Sequence, residues 1–280
     1  MTVLRVVAVA DNFGRDLAAG FARVEAILDD ARALGARLIV FPEATLGGYL
    51  AHLDPGGPPD LPPAFDADGP EIAELARLAG DLVVCAGYCE GEGTARYNAA
   101  VCVSGDGVLG HHRKVHHPLA EGASYDTGDR FVAFDTPVGR LGMMICYDKA
   151  FPEAARALAM DGAEIIACLS AWPASRTDPS PVLADDRWTR RFDLLDQARA
   201  LENQVVWVSA NQSGTFGTMQ FVGRAKVVGP GGEVLAVTGT SAGLAVADVD
   251  VAHSLSAARR VMCHLRDRRP DAYEVAAALR

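Results

Sequence analysis

Short apolar runs alternate with amphipathic helical segments through the first two-thirds of this 280-residue chain, and that alternation limits the possible folds more than any other feature. Residues 3–10 form a β-branched run, after which Leu17, Phe21, Val24, Leu28 and Ala31 recur at spacings of three and four, as on one helix face. Residues 37–41 are apolar again. Pro42, which lacks an amide donor, ends that strand and leaves Glu43 at its carboxyl end. Pro70 opens a helix carrying Ile72, Leu75 and Leu78, and residues 82–88 return as a buried strand. Residues 98–104 and 108–114 flank Gly105-Asp106-Gly107, a turn that joins two strands in a hairpin. The pattern continues as strand 140–146, helix 152–160, strand 163–169, helix 185–202 and strand 205–210. The last third changes character: strands at 221–228, 233–237 and 244–249 are split by glycine-rich turns, and a helix over 251–265 closes the fold. This order predicts one α/β domain with a mixed sheet covered by helices, and no repeat or composition shift divides it. The Pro/Gly-rich stretch 54–70 reads as an irregular surface loop. The charged tail 266–280 is placed to reach another subunit.

Half of the residues are hydrophobic and 22% are charged, so a chain of this length buries a large core without disulfides or metal. No apolar run approaches bilayer length, and the amino end lacks a basic region followed by a cleavage site, which predicts a cytoplasmic protein. Cys85, Cys89, Cys102, Cys146, Cys168 and Cys263 are spaced for neither a zinc ribbon nor a secreted scaffold, so reduced thiols are expected. A formal charge of -10 opposes phosphate backbones and anionic lipid, which argues against nucleic acid and membrane partners.

Three segments each place a reactive polar residue directly after an apolar strand: Phe41-Pro42-Glu43, Arg113-Lys114-Val115-His116 and Ile145-Cys146-Tyr147-Asp148. Each alone is an ordinary strand end, a basic patch or a core thiol. In this order, and with Phe-Pro-Glu-Ala-Thr-Leu-Gly-Gly-Tyr (41–49), Gly-Met-Met-Ile-Cys-Tyr-Asp-Lys-Ala-Phe-Pro-Glu (142–153), Ala-Arg-Ala-Leu-Glu-Asn (198–203), Ser-Ala-Asn (209–211) and Arg-Arg-Pro-Asp-Ala-Tyr (268–273), the chain resembles the nitrilase superfamily of carbon–nitrogen hydrolases. The motifs span nearly the whole chain, so a single hydrolase domain over 1–280 is expected. The resemblance implies an α-β-β-α four-layer sandwich with mixed sheets, a homodimer or larger homo-oligomer, no cofactor and a Glu–Lys–Cys triad of Glu43, Lys114 and Cys146. Amide carbonyls are poor electrophiles, which is why a soft thiolate is wanted, with Lys114 expected to lower the thiol pKa and to stabilise the oxyanion beside the Tyr147 backbone N–H. Glu43 is expected to move protons in both half-reactions. Relatives carry a second glutamate eight positions before the Asp of a Gly-Asp pair; counting back from Asp129 gives Glu121, expected beside Lys114. Trp172 and Tyr49 fall where the family often lines the substrate pocket, and Asp148 is expected to order the nucleophile turn.

Some signals depart from this pattern or compete with it. Many family amidases carry an Arg where this chain has Ala150, so a grip on a substrate carboxylate is lost or passes to Lys149 or Arg176. Cys-Tyr-Asp differs from the Cys-Trp-Glu of true nitrilases and favours a small amide or carbamoyl substrate over a nitrile. Gly239-Thr240-Ser241-Ala242-Gly243, with Asp250 and His264 after it, matches a serine nucleophile elbow, but the following residues read as strand where the elbow needs a helix. A non-catalytic binding protein on the same fold is the remaining alternative, and retention of all four polar residues argues against it. His111 and His112 alternate across a strand, which argues against a metal site, and His116 reads as a packing or hydrogen-bonding residue.

Overall fold

The computed structural model describes residues 3–54 and 60–273. Its elements in order are β1 (Leu4–Asp11), α1 (Leu17–Ala33), β2 (Leu38–Val40), α2 (Pro70–Ala79), β3 (Val83–Glu92), β4 (Ala95–Ser104), β5 (Gly107–Arg113), β6 (Ala133–Thr136), β7 (Gly139–Ile145), α3 (Pro152–Met160), β8 (Ile165–Ser170), α4 (Arg187–Asn203), β9 (Val206–Phe216), β10 (Met219–Val222), β11 (Lys226–Val228), β12 (Val234–Val237), β13 (Gly243–Val249) and α5 (Val251–Arg259).

A hydrogen-bonded path runs β5-β4-β3-β2-β1-β9-β8-β7-β6, with β13 antiparallel on β1 and β11 antiparallel on β9. The β1–β9 pairing covers Ala10–Asn211 and Asp11–Gln212, at the strand ends. The path folds over at that junction, so β3 and β4 lie across from β8 and β7. Alternation along each strand then supplies three apolar layers. Val6, Ala8 and Ala10 point into a central layer shared with Met143, Ile145, Ala167, Leu169 and Val208 of the other sheet. Val7 and Val9 point outward, under the Val24, Ile27 and Leu28 face of α1. Ile166 and Trp207 do the same beneath α3, against Ala155 and Leu158. Strands buried on both faces must be apolar almost throughout, which is why their runs are so conspicuous in the sequence. The result is the α-β-β-α sandwich with mixed sheets.

Three expectations change. The strand over 221–228 is two strands, because Gly223 and Arg224 take left-handed φ values of 63° and 59° and kink the chain between β10 and β11. The closing helix is α5 alone and stops at Arg259. Residues 133–136, not anticipated as a strand, form β6 against β7. Of the loop over 54–70, residues 55–59 lie outside the described residues and the remainder is irregular, as expected, apart from a bridge between Phe65 and Glu90. The tail is described only to Tyr273, so the rest of the expected subunit contact falls outside it. Among the described residues the cysteines are free, and no helix is long and apolar enough to cross a membrane.

Candidate active site

Glu43, Lys114 and Cys146 follow directly or nearly so on the ends of β2, β5 and β7, and the folded sheet brings those ends together. The backbone beside Glu43 is fixed from three sides: Phe41 N–H donates to the Cys85 carbonyl, Gly87 N–H to that of Pro42, and Gln212 Nε2 to that of Glu43. Gly87 is required by this approach, since a Cβ there would sit 2.7 Å from Glu43 Cα and 2.5 Å from Ala44 N. Lys114 is held by its own N–H on the Asn98 carbonyl and by Gly128 N–H on its carbonyl, both at 2.8 Å. Gly128 too has no room for a side chain, because a Cβ would fall 2.1 Å from the Arg113 carbonyl oxygen.

The polar side chains form one buried cluster. Lys114 Nζ donates to Glu43 Oε1 at 2.7 Å and to Glu121 Oε1 and Oε2 at 3.0 and 2.7 Å. Asn98 Nδ2 lies 2.6 Å from Glu43 Oε1 and 2.7 Å from Glu121 Oε1, so it bridges the two carboxylates. Tyr49 Oη donates to Glu121 Oε1 at 2.9 Å, and Ala171 N–H donates to Glu43 Oε2 at 2.6 Å. Glu121 thus lies beside Lys114, as the family resemblance implied. The His117 ring approaches it to 3.5 Å without a hydrogen bond to either ring nitrogen.

Cys146 is buried next to this cluster and opens a short turn, Cys146–Ala150, with φ at 50°. A left-handed non-glycine residue costs on the order of 1–3 kcal/mol and persists only where its surroundings hold it. Asp148 does the holding. It accepts from Ile145 N–H at 3.0 Å, from His116 N–H and Nδ1 at 2.9 Å, and from His112 Nε2 at 3.3 Å, tying the Cys146 turn to the loop that carries Lys114. These bonds overcome burial and keep Asp148 ionised well below the usual carboxylate range. His112 is buried and His111 faces outward onto Glu90, on opposite sides of β5 as alternation requires. His116 stacks on Phe151 with ring centroids 3.8 Å apart.

Lys114 pulls on the Cys146 thiol in the expected direction but does not decide the balance. Burial, then the charge of Glu43, push the Cys146 thiol well above its ordinary value, and the pull of Lys114 and the Ala171 N–H does not offset them. At rest the Cys146 sulfur is therefore a thiol. Burial also raises Glu43, more than Lys114 lowers it. Burial lowers Lys114, but Glu121 and Glu43 outweigh that and hold the ammonium well above the lysine range. Glu121 goes down, because Lys114 and His117 outweigh its burial. Two neighbouring carboxyls pushed in opposite directions can divide roles, one ionised and one exchanging protons.

A cavity of about 430 Å³ opens onto Cys146 and is lined by Tyr49 and Trp172, the pocket residues the resemblance implied, and by Tyr147, the expected oxyanion donor. Trp172 is oriented by Asn211 Oδ1, which accepts its backbone N–H at 2.7 Å, and by the Trp188 carbonyl, which accepts from Nε1 at 3.0 Å. Lys149 does not reach the cavity: it is fully buried, donating to Asp196 at 2.8 Å. Arg176 does, but it pairs with Asp54. Ser241 lies in an exposed turn followed by strand β13, so the geometry of a nucleophile elbow is missing. The sequence reading missed Asn98, Trp188 and the Ala171 N–H, none of which follows a motif boundary.

A model of the carbon–nitrogen hydrolase family matches residues 6–259. A probable nitrilase of Schizosaccharomyces pombe is 31% identical over 85% of this chain and 84% of its own length. An N-carbamoylputrescine amidase of Arabidopsis thaliana is 31% identical over 93% of this chain and 90% of its own. The crystal structure of a carbon–nitrogen hydrolase from Helicobacter pylori superimposes with a TM-score of 0.82 at 25% identity, covering 97% of each chain.

Proposed function

The chain belongs to the carbon–nitrogen hydrolase family, and from that premise we propose that it hydrolyses a small linear amide or N-carbamoyl compound by acyl transfer to Cys146. The observation that carries this reading is the buried hydrogen-bonded cluster of Glu43, Lys114 and Glu121 beside a strained, buried cysteine that lines a cavity. In this reading Glu43 takes the thiol proton as the sulfur attacks the carbonyl carbon. The oxygen gains negative charge against the Lys114 ammonium and the backbone N–H of Tyr147, in the first turn after the nucleophile, where helix N–H groups have no partner within the turn. Because the thiol is protonated at rest, the ammonium acts mainly on this developing charge. Collapse breaks the carbon–nitrogen bond, and Glu43 gives its proton to the departing amine or ammonia. Glu43 then deprotonates a water that attacks the thioester, and the proton returns to sulfur as the acid leaves. Glu121 and Asn98 position Lys114 and Glu43, while Tyr49, Tyr147 and Trp172 line the substrate side.

Relatives named nitrilase keep a nitrile reading in play, in which the same thiol adds to a nitrile carbon. Assaying purified protein for ammonia release from amides, N-carbamoyl compounds and nitriles separates the two. Release from amides or carbamoyl compounds that drops by about a thousandfold or more in Cys146→Ala supports the proposal. Release from nitriles alone overturns it. The whole chain acts as one hydrolase domain in this reading, and subunits pair through the outer helices, where Met160, Leu194 and Leu201 are 53%, 66% and 46% exposed. Sedimentation as a monomer at micromolar concentration would remove that pairing.

A further inference from the structure

The cavity at Cys146 is much larger than a two-carbon amide needs, and within the size range of sites that enclose whole drug-sized molecules. Its wall is apolar, built from Leu53, Pro118, Leu119, Trp172, Pro173 and Trp188. Among the described lining residues, Asp54 and Arg176 are the ones charged at neutral pH, and they are engaged with each other. Arg176 Nη1 and Nη2 reach Asp54 Oδ1 and Oδ2 at 2.8 and 3.1 Å, a fork-to-fork pair across two loops. Residues 55–59, next along the chain, carry no ionisable side chain. The ammonium groups behind the wall are occupied as well, Lys149 by Asp196 and Lys114 by Glu43 and Glu121. The Asp54–Arg176 pair faces solvent, its side chains 48% and 43% exposed, but a carboxylate or ammonium held against the apolar wall would lose hydration without gaining a partner, whereas an apolar group gains by leaving water.

We propose, on the premise that Cys146 is acylated, that this site selects uncharged amides bearing a large apolar group, aromatic or branched. Asp54 and Arg176 act as mutual shields that keep the wall electrically neutral toward substrate. The proposal makes them specificity-determining residues, and it sets this chain apart from enzymes of the fold that grip a charged end.

The test compares three primary amides of similar length: 3-phenylpropionamide, the half-amide of succinic acid and 3-aminopropionamide. The wild-type enzyme is expected to favour the phenyl compound in kcat/KM by about a hundredfold over either charged one. Asp54→Asn frees the guanidinium and is expected to raise kcat/KM for the half-amide about threefold or more, with no such gain for the amine. Arg176→Gln frees the carboxylate and is expected to do the reverse. A wild-type preference for either charged amide, or variants that move all three substrates alike, overturns the proposal. Failure of the acylation premise shows separately, as no ammonia from any amide. In that event calorimetric binding to Cys146→Ala still ranks the three compounds, and tighter binding of the phenyl amide supports the neutral wall while an equal or inverted order overturns it.

Discussion

Glu43 accepts from Lys114 and Asn98 on one oxygen and from Ala171 N–H on the other, so each charge state of the carboxyl is held in one orientation. Replacing it with Gln keeps the shape and removes the proton acceptor, and kcat is expected to fall by about 10²–10⁴ in the ammonia assay. Burial raises the Glu43 pKa, so kcat/KM should decline with falling pH at a point above the ordinary glutamate value of 4.5, as Glu43 becomes protonated and ceases to act as base. The Asn98 bond favours the ionised form, so Asn98→Ala should move that acid limb higher still; a shift downward, or none, in the pH–rate profile would contradict the assignment. Glu43, Lys114 and Cys146 were legible only together: each alone is an ordinary strand end, basic patch or core thiol, and their order among the neighbouring motifs carried the family resemblance. Asn98 was not. Inside a hairpin strand it reads as one more ladder residue, and its role arises only from the register that sets it opposite Cys89 and carries Lys114 past it.

Among the elements, α4 has the least obvious task, since its hydrophobic pattern is weak and several polar residues on it are buried. Asp196 explains this. It accepts from Lys149 at 2.8 Å, Lys226 at 2.7 Å and Trp207 Nε1 at 3.0 Å, and so joins α4 to the Cys146 turn, to β11 and to β9. The aromatic face of Phe192 lies under both ammonium groups, with centroids 3.2 and 3.9 Å away. Burial keeps Lys226 below the lysine range despite Asp196 and the Asp193 carboxylate 3.1 Å away, whereas Asp196 is the carboxylate paired with Lys149. Asp196→Ala would strand the buried Lys149 and leave Lys226 with Asp193 alone, and a loss of about 3–5 kcal/mol in urea unfolding is expected. A loss below about 1 kcal/mol would show that the cations reach solvent or other partners. None of this was legible, because pairs 30 and 47 positions apart leave no local pattern. Helices with a clear apolar face were read to within two residues at α1 and α3, and α4, expected over 185–202, spans Arg187–Asn203 despite its weak one. Short β6 was missed, because half-exposed residues of mixed polarity become a strand only through β7 beside them.

For the molecule as a whole, the alternating segments announced a mixed α/β sheet, but how the sheet folds on itself came from family resemblance. The decisive pairings, β1 with β13 and with β9, join residues about 200 or more positions apart. The central layer they create belongs to both halves, which has a thermodynamic consequence: neither sheet can expose its inner face without the other losing its core. The two halves should therefore unfold as one unit. The tryptophans provide a direct check, because Trp172, Trp188 and Trp207 all lie after β8 begins, whereas β2 belongs to the other sheet. Leu38 of β2 is fully buried in the shared layer, and Leu38→Ala should cost about 2–5 kcal/mol. In a cooperative molecule that deletion moves the denaturation midpoint seen by tryptophan fluorescence as far as the midpoint seen by far-ultraviolet circular dichroism. If the halves were separable, fluorescence would stay at its wild-type midpoint while the dichroism split into two steps, and the shared layer would then be a contact between two cores instead of one core.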